Sequence, residues 1–314
     1  MRRLRDVGEH AWLERVIARL GRASNGGRVV VGPGDDAAVV RAGGRPLLLT
    51  TDTLIEDVHF RSGWSTPAAL GRRAFAVNAS DLAAMGGVPR FALLALEAPA
   101  GMRVAALDAL TAGFAAAARR AGARLVGGNL AQGTHLAITA ALVGEAPGRV
   151  VTRAGARPGD LVYVTGSFGS AGLAVRQRRL SAPPDRSRAG VLLAAVASAM
   201  IDVSDGLLQD LGHLCRASRV GADVEIARVP VSATCRRALG ARAPAFAATA
   251  GEDYELVVTI PPGRERRLLR LRRRLGCRVT RIGRVVPGAA RVRFLDPAGR
   301  ALPVNRPGFD HFRR

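Results

Sequence analysis

Only 25 of the 314 residues are acidic, and several of these gather at the ends of apolar runs. Val29-Val30-Val31 leads into Gly34-Asp35-Asp36, and residues 46–50 run into Thr51-Asp52-Thr53. Residues 194–201 feed Asp202-Val203-Ser204-Asp205-Gly206, and Ser80-Asp81 closes an apolar segment that begins at Thr66. This pattern restricts the fold, because carboxylates brought together at strand ends repel one another unless a cation lies between them. Mg²⁺ suits that role, since it takes oxygen ligands from a few carboxylates together with phosphate and water. The hydroxyls of Thr50, Thr51 and Ser204, with the glycine-rich stretches 127–128 and 166–172, add groups compatible with phosphate. The pattern reads as a polyacidic cradle for Mg²⁺ and a nucleotide. Each piece alone has a plainer reading. Asp-Asp after Gly makes turns or caps, Asp202-x-Ser-Asp-Gly makes an N-cap, and Gly127-Gly128-Asn129 makes a turn.

The periodicity between these segments alternates. Trp12, Leu13, Val16, Ile17 and Leu20 share one helical face over residues 9–20. Residues 66–85 open with Thr66-Pro67, an N-cap followed by proline at the first helical position, and stop at Gly86-Gly87-Val88-Pro89. Residues 105–121 form an alanine-rich helix. Strands are expected at 29–31, 46–50, 91–97, 136–143, 161–165, 257–260 and 279–286, and residues 125–126 lead into a turn at 127–129. Residues 177–188 read as a loop, and a helix follows Gly206 through Leu214. The class is α/β or α+β. The length suits two domains, with a boundary in the turn-rich stretch 147–159, giving residues 1–148 and 149–314.

Composition excludes several functions. The sequence contains no lysine, so all 47 basic residues are arginine. A Walker A loop and a protein-kinase strand both require lysine, and neither is possible here. The formal charge of +22 suggests nucleic acid, but the all-arginine, Ala- and Gly-rich usage looks like the imprint of a GC-rich genome. Aromatic residues make up only 4%, too few for a base-stacking platform. The densest basic run, 264–274, has leucines at helical spacing and reads as a solvated face over a core stripe. The longest clean apolar stretch, about 189–201, falls short of the roughly 18 residues of a membrane span. Met1-Arg2-Arg3-Leu4-Arg5-Asp6 is followed by no apolar region, so no signal peptide and a cytoplasmic location are expected. Cys215, Cys235 and Cys277 are too few and scattered for a disulfide framework or zinc site.

A series of longer blocks carries a resemblance. Gly34-Asp35-Asp36-Ala37-Ala38, Thr51-Asp52-Thr53-Leu54 with His59-Phe60, and Ala76-Val77-Asn78-Ala79-Ser80-Asp81-Leu82-Ala83-Ala84-Met85-Gly86 occur in this order. They are followed by Arg153-Ala154-Gly155-Ala156-Arg157-Pro158-Gly159-Asp160, Ile201-Asp202-Val203-Ser204-Asp205-Gly206-Leu207, Gly251-Glu252-Asp253-Tyr254-Glu255-Leu256 and Gly308-Phe309-Asp310-His311-Phe312. Spanning nearly the whole chain, the series closely resembles the thiamine-monophosphate kinase family, within the superfamily of aminoimidazole ribonucleotide synthetase.

The resemblance implies a two-domain aminoimidazole ribonucleotide synthetase-like fold and a homodimer whose N-terminal domains build a shared β-barrel. It also implies ATP as co-substrate, held by several Mg²⁺ ions. By the same resemblance, Asp36, Asp52, Asp81, Asp202 and Asp205, with Thr50 and Thr51, would ligate Mg²⁺. Arg153, Ser204, Gly128 and Asn129 would lie at the nucleotide. His59, Glu252 and Phe309 would contact thiamine monophosphate. The implied reaction is direct, in-line transfer of the γ-phosphoryl group of ATP to that substrate, giving thiamine diphosphate, with no membrane or nucleic-acid partner. The attacking phosphate oxygen is already anionic, so positioning and metal ions suffice and no catalytic side chain is assigned.

Selenophosphate synthetase is disfavoured because no cysteine precedes Cys215 and lysine is absent. The hydrogenase maturation enzymes are disfavoured by the ending Phe312-Arg313-Arg314, which lacks their C-terminal cysteine. Another ATP-using enzyme of the superfamily, or a basic nucleic-acid-binding protein, is the alternative. One departure stands out: Asn129 occupies the place where the family usually has a metal-binding aspartate.

Overall fold

The structure is a computed structural model that describes residues 28–302, apart from residues 33 and 44. Phe309 and the helix expected over residues 9–20 lie outside the described residues. Two mixed β-sheets form two layers of the molecule, each with its own helices.

The first sheet contains β1 (Val29–Val31), β2 (Ala38–Ala42), β3 (Arg45–Ile55), β4 (Val88–Ala98), β5 (Arg124–Gln132) and β6 (Ala137–Glu145), in the order β1-β2-β3-β6-β4-β5. Only β4 and β5 pair in parallel. Helices α1 (Pro67–Ala84) and α2 (Val104–Arg120) cover one face. There Leu48, Leu94, Ile138 and Leu142 of the strands meet Leu82, Leu110 and Phe114. The Thr66 hydroxyl caps α1 by accepting the Ala69 N–H at 3.3 Å, with Pro67 in the first turn, as its sequence signature predicts. Among the described residues the opposite face carries no helix, and Phe91 and Leu93 are about half exposed there, at 49% and 48%.

Two segments differ from expectation. The strand expected at 46–50 continues as β3 to Ile55, so Thr51, Asp52 and Thr53 lie inside the strand and not beyond its end. Gly127-Gly128-Asn129 is not a turn but the middle of β5, just after a register shift against β4. The glycine has a packing reason, because a Cβ on Gly128 would collide with the Leu94 carbonyl oxygen of the neighbouring strand.

The second sheet contains β7 (Leu161–Thr165), β8 (Ala199–Asp202), β9 (Gly221–Glu225), β10 (Leu256–Ile260), β11 (Val279–Val286), β12 (Val292–Leu295) and β13 (Ala301–Leu302), in the order β13-β12-β9-β11-β7-β10-β8. Its helices are α3 (Ser170–Arg176), α4 (Ser187–Ala194), α5 (Leu207–Ser218), α6 (Ala233–Leu239), α7 (Ala243–Thr249) and α8 (Glu265–Leu271). On one face Val162, Val164, Ile201 and Val257 pack on Leu207, Leu211 and Leu214 of α5. On the other, Tyr163, Met200 and Val258 pack on Leu193 of α4 and Leu268 of α8. Burial on both faces explains why β7 and β10 are mostly apolar, with the buried hydroxyls of Thr165 and Thr259 hydrogen-bonded to Glu255 and Ser198. The arginine-rich run matches the stripe reading, since Leu268 is buried while Arg266, Arg267 and Arg270 face solvent.

Helix α1 belongs to both layers. Ala84 packs into the second sheet's cluster, and Gly190 of α4 approaches the Ala83 carbonyl so closely that a Cβ there would collide with it. Among the described residues, no helix is long and apolar enough to cross a membrane.

Candidate active site

The acids meet along this seam. Asp36 follows β1, Asp81 lies on α1, and Asp202 ends β8. One carboxylate oxygen from each lies within 4.8 Å of the others. Asp81, on a helix of the first layer, and Asp202, on a strand of the second, therefore reach one point, each held by a hydroxyl. Thr50 Oγ1 donates to Asp81 Oδ2 at 2.5 Å, and Ser80 Oγ donates to Asp202 Oδ2 at 2.7 Å.

Arg153 supplies a counter-charge, its Nη2 lying 2.8 Å from Asp36 Oδ1. Its backbone N–H donates to Asp35 Oδ2 at 2.9 Å. One cation among these acids does not balance them. Burial, then the charge of Asp202, pushes the Asp81 carboxyl well above its usual range. Burial, then Asp36, does the same to Asp202. Burial and the neighbouring Asp36 raise Asp35 to about 6. Asp36 Oδ2 is buried with no hydrogen-bond partner, which is the vacancy in bonding that a hard cation satisfies. The donor set, all oxygen and net anionic, fits Mg²⁺.

Asp52 and Asp205 stand beside this triad and line a cleft of about 700 Å³. Ser204, His59 and Glu252 line the same cleft, with Trp64, Phe246 and Tyr254 as its aromatic walls. The Asp205 carboxylate accepts from Gln209 Nε2 at 3.1 Å, and its loop is tied down by Asp210 Oδ2, which takes the N–H groups of Asp205 and Gly206 at 3.0 Å each. Burial, then the charge of Asp205, raises the Asp210 carboxyl far above its usual range. The His59 Nδ1 accepts the Ile55 N–H at 2.9 Å, so the neutral ring carries its proton on Nε2.

Glu252 is ion-paired to Arg73 of α1. Its backbone is left-handed, with φ of 75°, as is that of Tyr254 at 49°. Such conformations cost about 1–3 kcal/mol each in non-glycine residues. The segment is held by N–H bonds from Glu252 to the Ser204 carbonyl at 2.7 Å and from Tyr254 to the Val203 carbonyl at 2.8 Å. The loop carrying Ser204 and Asp205 and the segment carrying Glu252 thus form one laced unit.

Other expected residues lie apart. The Thr51 hydroxyl donates to the Ala140 carbonyl at 2.9 Å, while Thr50 turns to Asp81, as alternation along a strand requires. Asn129 lies on edge strand β5, three inter-strand spacings from β3, or about 14 Å within one sheet. In the 166–172 stretch, the N–H groups of Gly166 and Phe168 donate to the carbonyls of Arg278 and Pro230, both at 2.8 Å. Those of Gly169 and Ala171 donate to Asp253, at 2.9 and 3.4 Å. Arg73, Asp210 and Ser80 were absent from the expected site. Ser80 is signalled by its place beside Asp81, whereas nothing local signals Arg73.

Comparison with known proteins places this geometry. Residues 34–146 match the AIR synthase related protein N-terminal domain and residues 157–295 the corresponding C-terminal domain. Fold and site therefore define an AIR synthase-related protein built from both domains. The chain is 36% identical to the thiamine-monophosphate kinase of Mycobacterium tuberculosis (strain CDC 1551 / Oshkosh), over 92% of this chain and 88% of the relative. It is also 36% identical to that of Escherichia coli (strain K12), over 90% and 92%. The solved structure of AaThiL complexed with AMPPCP and TMP superposes with a TM-score of 0.84 at 31% identity, covering 99% of both chains. The chain belongs to the thiamine-monophosphate kinase family.

Proposed function

We infer that the protein transfers the γ-phosphoryl group of ATP to thiamine monophosphate, giving thiamine diphosphate and ADP in a single displacement. The observation that carries this reading is the buried Asp36–Asp81–Asp202 triad opening beside a cleft that combines aromatic walls with Glu252. Family membership and the AMPPCP and TMP bound in AaThiL support it.

Asp36, Asp81 and Asp202, with Asp52, Asp205 and Thr50, are the residues we assign to several Mg²⁺ ions; the Thr51 hydroxyl, turned to the other face of β3 and bonded to the Ala140 carbonyl, is not among them. Bound there, Mg²⁺ neutralises the two polyanionic substrates and brings them into line. Ser204 sits where the seam meets the cleft and contacts the nucleotide. Arg153 holds Asp36 and presents its positive charge to the nucleotide from that position. His59 offers its Nε2 proton to the acceptor, and Glu252 offers a carboxylate to the amino-bearing pyrimidine. Trp64, with Phe309 as expected from sequence, offers a face for the cationic thiazolium, while Tyr254 and Phe246 already lie against the guanidinium groups of Arg73 and Arg176. The acceptor phosphate is the nucleophile, and no side chain is required as a base.

We assign the boundary between the two domains to residues 148–149, and the bare face of the first sheet to a barrel shared with a second copy. Leu49, Phe91, Leu93 and Val126 give that face its apolar character. The nucleotide role of Gly128 and Asn129 rides on this pairing, since within one chain they stand across the sheet from Asp52. A cytoplasmic location suits the ATP requirement and the free thiols of Cys215, Cys235 and Cys277. The test is ADP release with thiamine monophosphate, with free thiamine and with no acceptor. Turnover should appear with the monophosphate alone, and equal rates with free thiamine would overturn the assignment.

A further inference from the structure

Behind the cleft wall formed by Glu252 and Tyr254 lies a buried charge that the reaction does not account for. The Arg73 side chain is only 4% exposed, yet it bears a full positive charge in the middle of α1. Such a charge is tolerated only when paired and hydrogen-bonded. Two of its partners, Glu252 and Tyr254, line the cleft. Nη2 pairs with Glu252, and Nη1 donates to the Ser181 carbonyl at 2.7 Å. The guanidinium carbon lies 5.6 Å from the centre of the Tyr254 ring. Arg73 therefore grips the segment in which Glu252 and Tyr254 have left-handed backbones.

Position along α1 adds the second half of the argument. Seven and eight residues separate Arg73 from Ser80 and Asp81, which is two turns, so the three side chains emerge on one side of the helix. At 1.5 Å per residue, Arg73 and Asp81 stand about 12 Å apart along the axis. One rigid helix thus carries a triad carboxylate at one end and the partner of Glu252 at the other.

We propose that Arg73 is a positioning residue for acceptor selection. It holds the Glu252 carboxylate aimed into the cleft, and through α1 it fixes the distance between that carboxylate and the Asp81 end. The site then selects phosphate monoesters whose phosphate stands a set distance from an amino-bearing heteroaromatic ring. This rests on the reading of the cleft as the thiamine monophosphate site.

The test is steady-state kinetics of Arg73→Met, Arg73→Lys, Glu252→Gln and the Arg73→Met/Glu252→Gln pair. Arg73→Met should raise KM for thiamine monophosphate about tenfold while kcat and KM for ATP stay within about twofold, the signature of lost acceptor binding. Arg73→Lys keeps the charge and should recover most of that loss. In the Glu252→Gln background, Arg73→Met should change KM by less than about twofold, because its route of action is gone. A parallel fall in kcat and rise in both KM values, or a full tenfold effect persisting in the Gln background, overturns the proposal. If Arg73→Met does not fold, Arg73→Lys decides. A selective rise of about threefold in the acceptor KM, from loss of the guanidinium fork, supports the role, and an unchanged KM overturns it. Wild-type protein inactive on thiamine monophosphate would defeat the underlying reading, whereas active wild type without the selective KM effect defeats only the role of Arg73.

Discussion

The two sheets solve the same problem differently. In the second, β7, β8 and β10 are buried on both faces, with α5 on one side and α4 and α8 on the other. In the first, α1 and α2 close one face and the other stays open, with Leu93 and Phe91 about half exposed. A sheet covered on both sides is a finished core. A sheet that leaves an apolar face exposed among the described residues presents an apolar surface. The acids gather along the seam where α1 passes between the layers, framed by the completed core of the second.

The sharpest way to break this contrast is a charge on each sheet. Val258 is fully buried, and Val258→Asp should leave no folded protein, since an unpaired buried charge costs several kcal/mol against a total stability of about 5–15. Leu93→Asp should shift protomer stability by less than about 0.5 kcal/mol while converting dimers to monomers. Thermal unfolding together with sedimentation checks both, and a monomeric wild type would show that the open face is simply solvated.

The seam yields the next largest effect. Asp81→Asn should lower turnover more than about tenfold, because it removes a charge that neutralises bound phosphate. The same change should raise the unfolding temperature in chelator, because it relieves carboxylate crowding within the triad. A variant with wild-type turnover, or one destabilised in chelator, would move the cation cradle elsewhere.

A smaller effect belongs to the finished core. Burial raises the Asp253 carboxyl to about 7. Its folded value lies above its unfolded one, so the folded state binds the proton more tightly. Its stabilising contribution is complete below about pH 4 and is lost as pH rises toward 7. Asp253→Asn should flatten the fall in stability across this window, measured by denaturant unfolding at several pH values, and an unchanged slope would show that other groups govern it.

The smallest effect concerns the open sheet. Asn129→Asp should lower the free Mg²⁺ needed for half-maximal rate by a few-fold, on the order of 1 kcal/mol or less, with the plateau nearly unchanged. Superimposable Mg²⁺ titrations at saturating ATP would place Asn129 away from the cation site even in the assembled protein.

Where local chemistry decides structure, the sequence was readable. Thr66-Pro67 marks the start of α1 through its own cap, and β7 and β11 fall at 161–165 and 279–286 as expected. Gly127-Gly128-Asn129 misled because two glycines and an asparagine carry the same local signal in a turn and in a strand that must admit a neighbour's backbone. Only the partner strand, which places the Leu94 carbonyl against Gly128, distinguishes them. Helix α4 was hidden within an apolar run that continues into β8. The acids of the triad were readable as motif members, and alternation along β3 separates Thr50 from Thr51. The pairing of Arg73 with Glu252 joins remote parts of the chain and leaves no periodic trace.

The sharing of the triad between layers has a consequence for how such a chain can change over time. Asp81 arrives with the first sheet's helix and Asp202 with a strand of the second, and Ser80 bonds across the gap to Asp202. A recombination event that exchanged one half of the gene would deliver half a site, and its product would work only if the incoming half brought a matching carboxylate and a glycine slim enough at position 190 to let the halves close. The two halves are therefore bound to be inherited together, and substitutions at the seam are constrained from both sides.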